Sequence, residues 1–143
     1  MLIGTARIVG SEIRRQQLWQ KAQSFAADLV SFTAKLPRNP TTDVISTQLV
    51  RSGASIAANI AEGYGRYSQP AYRNHLSIAR GSAFETESWL DLLSRCGHLS
   101  AANGPTLMAK CTELEKLLTL RMKSLSSGKT YAVKEEARPY EAL

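Results

Sequence analysis

A chain of 143 residues is long enough to bury one hydrophobic core and too short for several domains. Its 43% apolar residues are typical of globular proteins, and no apolar run approaches the ~20 residues of a membrane span, so we exclude a membrane protein. The start of the chain does not resemble a secretory signal, so we expect a cytoplasmic protein, in which a disulfide is uncommon. The two cysteines form no CxxC pair, which argues against a cysteine-based zinc site. The formal charge of +6 is compatible with a polyanionic partner and equally with an incidentally basic protein.

The first predicted helix covers residues 15–36. Its apolar residues alternate spacings of four and three, the pattern of a helix packed lengthwise against others: Leu18, Ala22, Phe25, Leu29, Phe32 and Leu36. Pro37 and Pro40 end this helix, because proline lacks the amide that the next turn requires. Residues 1–14 contain two glycines and no sustained period, so we expect an irregular leader there.

The second predicted helix, residues 43–63, repeats this spacing with many small residues. Gly53 lies inside it, where glycine costs about 1 kcal/mol relative to alanine, so we expect a packing reason for its presence. Small residues let another backbone approach closely, which favours a central position for this helix. We expect Gly63 and Gly65 to end it in the left-handed conformation that glycine tolerates.

The third predicted helix, residues 69–96, begins after Ser68 as the N-cap and has Pro70 in its first turn. Its inward face consists of Tyr72, Leu76, Ala79, Ala83, Thr86, Leu90, Leu93 and Cys96. Three large apolar residues lie off this face: Ile78, Phe84 and Trp89. A bundle helix needs only one buried face, so the second apolar surface predicts contact with another subunit.

The fourth predicted helix covers residues 103–125, and we expect residues 127–143 to form a mobile tail. The inward face of this helix consists of Leu107, Cys111, Leu114, Leu118 and Leu125. Four amphipathic helices with short connections and no strand-like alternation predict an all-α protein. The expected architecture is an antiparallel up-down-up-down four-helix bundle over residues 15–126.

The residues that usually carry catalysis or bind metals are sparse. Neither His75 nor His98 has a glutamate three residues before it, so the di-iron signature of helical bundles is missing. Cys96 lies near His98 in sequence, but we expect its side chain to point into the bundle. The run Gly63–Gly65 follows a helix rather than a strand, unlike a phosphate-binding loop. We therefore predict no catalytic, metal-binding or cofactor-binding residues.

A polar cluster at the end of the second helix consists of Arg51, Asn59, Glu62, Arg66 and Ser68. Asn59 lies near the apolar seam, and Glu62 and Arg66 are four residues apart and could pair. One interpretation is a structural network that holds the corner between the second and third helices. The other is a site for a ligand or a partner.

An arginine series offers a possible contact with nucleic acid. Arg73 and Arg80 are seven residues apart and share a face of the third helix, and Arg66 continues the spacing into the preceding turn. Guanidinium groups bind phosphates, and the nearby tyrosines, Tyr64, Tyr67 and Tyr72, could stack on bases. The alternative is an ordinary solvated face.

The run LVRSGASIAANIAEGYGR, residues 49–66, resembles a specific family. It is similar to the hallmark "RRAAVSIPANIAEGFGR" of the bacterial four-helix-bundle family named for the intervening-sequence protein of 23S ribosomal RNA genes. Residues 78–90, IARGSAFETESWL, resemble the second hallmark, "ALGSLAELETQL", and residues 96–100 also align. The resemblance covers roughly residues 15–125.

The resemblance implies a left-handed antiparallel four-helix bundle and brings no catalytic activity with it. A ring-shaped homopentamer is known in the family. It also implies distant kinship with the accessory proteins of diversity-generating retroelements, which are basic pentamers that associate with reverse transcriptase and nucleic acid. Two departures stand out. Ala57 replaces a common proline, which predicts a straighter second helix, and Gly104–Pro105 replaces an acidic helix start.

These observations favour a non-enzymatic, homo-oligomeric, pentameric scaffold that binds nucleic acid, RNA before DNA, through Arg66, Arg73 and Arg80. A further protein partner, such as a reverse transcriptase, is compatible with this expectation. The alternative is a protein-interaction or structural module in which the positive charge has no role. An enzyme with its site at Asn59, Glu62 and Arg66 is the least favoured class.

Overall fold

A computed structural model describes residues 2–126, with side-chain surroundings from Gln16 onward, and contains four α-helices. They are α1 (Leu2–Ala34), α2 (Pro40–Tyr64), α3 (Gln69–Arg95) and α4 (Gly104–Ser126). Within the described range there is no strand, and no helix there is both long and apolar enough to cross a membrane. The predicted C-terminal tail, residues 127–143, lies outside the described residues.

Each helix packs against two others: α1 and α3 both contact α2 and α4. Contacts between α2 and α3 run in opposite directions along the two helices, since Ser52 meets Thr86 whereas Asn59, later in α2, meets His75, earlier in α3. Short connections join antiparallel neighbours in this way. The predicted up-down-up-down four-helix bundle is confirmed.

The core consists almost entirely of the residues that the four-three spacing selects. The large side chains with relative exposure below 2% come from all four helices: Phe25, Leu29, Leu49, Ile56, Ile60, Leu76, Leu90, Leu93, Leu114 and Leu118. One polar pair lies among them, where the Thr86 hydroxyl donates to Ser52 Oγ at 2.9 Å across the α2–α3 seam. This buried pair needs no water, because each hydroxyl finds a partner inside the bundle.

The first helix is longer than predicted, beginning at Leu2 instead of near residue 15. The predicted irregular leader is therefore wrong for residues 2–14. Once a helix has formed, each added residue gains a backbone hydrogen bond, and this segment contains no proline to stop the extension. Its two glycines cost only about 1 kcal/mol each.

The second helix begins three residues earlier than predicted, because Asn39 is its N-cap and accepts a hydrogen bond from the Thr42 amide at 2.9 Å. Pro40 occupies the first turn, where its missing amide has no intrahelical partner to lose. The predicted cap of α3 is confirmed: Ser68 Oγ accepts from the Ala71 amide at 3.3 Å.

The glycines after α2 act differently from the prediction. Gly65 caps the helix with a φ of −76°, so the expected left-handed conformation is wrong there. Gly63 lies inside the helix and is buried, and a Cβ at this position would lie 3.0 Å from both His75 Cβ and Tyr72 Cδ2. Close approach to α3 therefore explains Gly63. Of the described residues only Gly97, after α3, has a positive φ, of 78°.

Two further expectations concern small side chains in the helices. A Cβ on Gly53 would overlap Leu29 Cδ1 of α1, so the predicted packing reason for this glycine is confirmed. Cys111 is buried as expected, but Cys96 is exposed. Cys96 is the C-cap of α3, where the chain leaves the helix and the heptad no longer directs the side chain inward.

Candidate functional site

Two of the predicted arginines reach from α3 across to α4. Arg73 Nε donates to the main-chain carbonyl of Met122 at 3.4 Å. Arg80 Nε donates to Thr119 Oγ1 at 2.7 Å. Both side chains therefore lie on one face of α3, as their seven-residue separation predicts, and this face borders α4.

Helix α4 adds two lysines to this seam. Lys116 and Lys123 are exposed and seven residues apart, and they flank Thr119 on the same face of the helix. We call Arg73, Arg80, Lys116 and Lys123 the α3–α4 basic surface. Among the described residues, none of these four forms an ion pair with a carboxylate. Six other basic residues do form ion pairs: Lys21, Arg38, Arg51, Arg66, Arg95 and Lys110.

Apolar side chains are exposed between these cations. Phe84 is 45% exposed, and the Arg80 guanidinium carbon lies 4.8 Å from its ring centroid. Leu120 is 62% exposed. With Lys116 these side chains line an open groove of about 430 Å³. The seam thus combines unpaired positive charge with an aromatic ring that solvent can reach.

A buried carboxyl group lies beside the groove. Glu115 of α4 is 8% exposed and lines the groove with Arg80 and Lys116. Burial raises the pKa of Glu115 to about 7, with smaller contributions from hydrogen bonding and the negative charge of Glu87 of α3, while the charge of Arg80 opposes this shift. The Cys111 thiol donates to the Ala83 carbonyl at 3.2 Å and lies 3.9 Å from Glu115 Oε1.

The Cys111 thiol has no character of a nucleophile. Burial, followed by the charges of Glu115 and Glu87, raises the pKa of Cys111 to about 12, so the thiol stays protonated. Within the described residues no cluster of three or more histidine, cysteine, aspartate or glutamate side chains could hold a metal ion.

A second polar cluster occupies the turn between α2 and α3 and is centred on His75. Arg66 Nε donates to His75 Nε2 at 3.1 Å, and Arg66 Nη2 donates to Glu62 Oε1 at 2.7 Å. Since Nε2 accepts here, the imidazole proton belongs on Nδ1, which lies 3.3 Å from Asn59 Oδ1 and 3.9 Å from Glu62 Oε2. Asn59 Nδ2 in turn donates to the Ser55 carbonyl at 2.8 Å.

The predicted five-residue polar cluster is therefore divided. Asn59, Glu62 and Arg66 come together, but Arg51 pairs with Glu85 of α3 at 2.6 Å. Ser68 serves as the helix cap described above. Arg66 is also separated from the two other arginines of its series, because it folds towards the α2 side of α3 whereas Arg73 and Arg80 reach α4.

The outer side of α2 and α3 carries the second apolar surface. Ile78 is 45% exposed and Leu92 is 37% exposed, and the two lie fourteen residues, or two heptads, apart on one side of α3. Helix α2 contributes exposed small residues to its own outer side: Ala54, Ala58 and Ala61. Of the three residues predicted for a second surface, Phe84 instead lies in the basic groove and Trp89 packs partly against the core.

The model of the 23S rRNA-intervening sequence protein family matches residues 14–120. The chain belongs to this family. A similar protein has a crystal structure at 1.70 Å resolution and is described as a protein with unknown function from the S23 ribosomal protein family, from Bacteroides thetaiotaomicron VPI-5482. It is 34% identical, the match covers 77% of this chain and 98% of that one, and the TM-score is 0.72. No curated protein matches the chain.

Two parts of the site escape sequence reasoning. From the sequence, His75 is considered only as a metal ligand and is not placed in the polar cluster. Glu115 was not singled out. The sequence feature that could have indicated Glu115 is its position four residues after Cys111, next to the apolar stripe of α4.

Proposed function

We propose that this protein is a non-enzymatic, homo-oligomeric scaffold of the cytoplasm that binds nucleic acid, RNA before DNA, through the α3–α4 basic surface. The observation that carries this proposal is the concentration of unpaired cations on one seam. Arg73, Arg80, Lys116 and Lys123 lack carboxylate partners among the described residues, and Phe84 is exposed between them.

This arrangement suits single-stranded nucleic acid. Unpaired arginines and lysines neutralise phosphates and release counterions, and an exposed aromatic ring gives a base a surface for stacking. The groove is open and offers few groups that could read the edges of bases. We therefore expect affinity with little sequence preference and with strong dependence on salt.

Oligomerisation would multiply this weak surface. The apolar outer side of α2 and α3, with Ile78 and Leu92, lies away from the basic seam and suits contact with a second subunit. The family resemblance suggests five subunits in a ring. Several basic surfaces on one ring would raise avidity without new contacts, and a reverse transcriptase is a compatible protein partner.

A fluorescence-anisotropy titration tests the nucleic-acid part. Labelled single- and double-stranded oligonucleotides are titrated at low and physiological salt with the native protein and with the double variant Arg73→Ala, Arg80→Ala. We expect the variant to bind more weakly and with a flatter salt slope. The double variant Arg51→Ala, Arg95→Ala is the matched control, because it removes the same charge from arginines that are already ion-paired.

The outcome separates the two function classes. Absence of binding at low salt, or equal weakening in both double variants, would refute the basic surface as the site. The protein would then be better described as an interaction module, for which the exposed Ile78 and Leu92 are the supporting observation.

Light scattering at micromolar subunit concentration tests the oligomer. We expect a mass several times that of the monomer, and a smaller mass for Ile78→Glu, because a charge would be buried in the interface. Val30→Glu on α1 is the control, since Val30 is 52% exposed on another side of the bundle. A native protein of monomer mass would refute oligomerisation.

A further inference from the structure

Thr119 of α4 lies within the α3–α4 basic surface and contacts Arg80 of α3. Its hydroxyl oxygen accepts a hydrogen bond from Arg80 Nε at 2.7 Å. The hydroxyl itself donates to the Glu115 carbonyl of α4 at 2.8 Å. A guanidinium has donors only, so the single hydroxyl proton is directed to the carbonyl and the oxygen is left to accept from Arg80. The two hydrogen bonds therefore form one chain from the guanidinium to the backbone of α4.

A second contact restrains the same guanidinium. The Arg80 guanidinium carbon lies 4.8 Å from the centroid of the Phe84 ring, one turn further along α3. Arg73 has less support, since it is exposed and its Nε reaches only the Met122 carbonyl, at 3.4 Å. A hydrogen bond of this length is weak. Of the two arginines on this surface, Arg80 is therefore the one whose side chain is ordered in the free protein.

The contact through Nε decides which groups of Arg80 remain for a ligand. A guanidinium carries five N–H donors, one on Nε and two on each terminal nitrogen. Within the described part of the chain, Nη1 and Nη2 of Arg80 donate to no other group and form no ion pair. Both terminal nitrogens can thus bind one phosphate together, which is the strong bidentate geometry. Arg80 lines the open groove of about 430 Å³, where a ligand can reach it.

We propose that Thr119 is a positioning residue for nucleic-acid binding: it holds Arg80 in place so that Nη1 and Nη2 bind one phosphodiester group of a single strand in bidentate geometry. This inference rests on the proposed function. It adds one defined phosphate position to that function, and a residue that acts through Arg80 without touching the ligand.

The size of the effect follows from the order of the arginine side chain. A free arginine loses rotamer freedom when it binds a ligand, and this loss lowers the affinity. The hydrogen bond to Thr119 imposes the order before binding. Without it we expect the affinity to fall by about 3- to 10-fold, the equivalent of immobilising one flexible side chain. The charge of Arg80 is unchanged, so the same number of counterions is released and the salt slope should stay the same.

Thr119→Val is the informative variant, because valine has nearly the same shape but cannot accept from Arg80. Anisotropy titrations with a labelled single-stranded oligouridine RNA at a series of salt concentrations compare it with the native protein. We expect weaker binding with an unchanged salt slope, and recovery in Thr119→Ser, whose hydroxyl restores the acceptor. Arg80→Lys should also weaken binding at an unchanged slope, because it keeps the charge and loses the bidentate geometry. Arg80→Ala should flatten the slope by about 1.

Thr112→Val is the matched control on the same helix. Thr112 lies two turns before Thr119 on the same face of α4, and its hydroxyl donates to the Ala109 carbonyl at 3.1 Å. Among the residues that the structure describes, no arginine donates to it. We expect this variant to bind RNA like the native protein. Equal weakening in Thr112→Val and Thr119→Val would overturn the positioning role.

Nitrogen-15 NMR of the arginine side chains tests the contact itself, without nucleic acid. The Arg80 Nε–H signal is assigned with Arg80→Lys. We expect this proton to exchange slowly with water in the native protein and in Thr119→Ser. In Thr119→Val we expect fast exchange, with the backbone amide spectrum otherwise retained. Fast exchange in the native protein would overturn the inference, whatever the protein binds.

The two proposals fail in different ways. RNA binding that is equally strong in the native protein and in Thr119→Val would overturn the positioning role and leave the proposed function standing. Absence of RNA binding by the native protein at low salt would overturn the proposed function and the role of Thr119 in binding together.

Discussion

The Asn59 side chain can be tested by a single substitution, because it connects α2 to α3 through a small number of defined contacts. Its amide nitrogen donates to the Ser55 carbonyl at 2.8 Å and lies 3.0 Å from Ser55 Oγ. Its amide oxygen lies 3.3 Å from His75 Nδ1. Asn59→Ala removes all of these contacts and leaves the His75 ring, only 12% exposed, without its amide partner.

The expected loss of stability follows from these contacts. A net hydrogen bond contributes about 0.5–1.5 kcal/mol, and stranding a largely buried donor costs about 1–3 kcal/mol. Alanine is the better helix former, which offsets about 0.5 kcal/mol. We therefore expect the free energy of unfolding to fall by about 1–3 kcal/mol relative to a matched asparagine-to-alanine change at an exposed helical position.

Urea denaturation followed by circular dichroism measures this difference. Asn74→Ala is the matched control, since Asn74 is exposed on α3 and undergoes the same gain in helix propensity. All proteins are compared at one subunit concentration, because oligomerisation makes stability depend on concentration. Equal denaturation midpoints for Asn59→Ala and Asn74→Ala would refute the reasoning and would favour a ligand-binding or partner-binding role for Asn59.

Three further predictions concern other parts of the bundle. The pKa of Glu115 is raised to about 7, from about 4.3 in an unfolded chain, so its contribution to stability is complete below about pH 4 and is lost as pH rises through 7. Thermal unfolding should therefore show that the free energy of unfolding falls by at most about 3 kcal/mol between pH 5 and pH 8. We expect Glu115→Gln to abolish this fall. Gly53→Ala should destabilise the protein by about 1–2 kcal/mol, because the added methyl group would overpack the α1–α2 contact. Gly81→Ala has open space around it and should stabilise the protein by up to about 1 kcal/mol. Calorimetry that gives the two changes in stability the same sign would contradict this. A thiol reagent at pH 8 should modify the exposed Cys96 rapidly and Cys111 only after denaturation, and two rapid equivalents would contradict the burial of Cys111.

The amino-acid sequence by itself determined the bundle and the inward face of each helix. The four-three spacing selected Leu76, Leu90 and Leu118, and all three are fully buried. This succeeds because the side-chain direction along a helix depends only on residue number, at 3.6 residues per turn. Helix capping could also be predicted from the sequence, because a cap acts within one turn, as Ser68 does at the start of α3.

The tertiary structure alone decided which polar side chains meet across the seams. The axial shift and rotation of one helix against the next bring His75 to Asn59 and Arg66 and direct Arg51 to Glu85. No spacing within a single helix encodes these offsets. The same offset separates Arg66 from Arg73 and Arg80 although all three follow one heptad in sequence, because Arg66 lies outside α3 and turns towards α2. Periodicity specifies a direction around one helix axis, whereas a contact between two side chains also requires the position of the second axis.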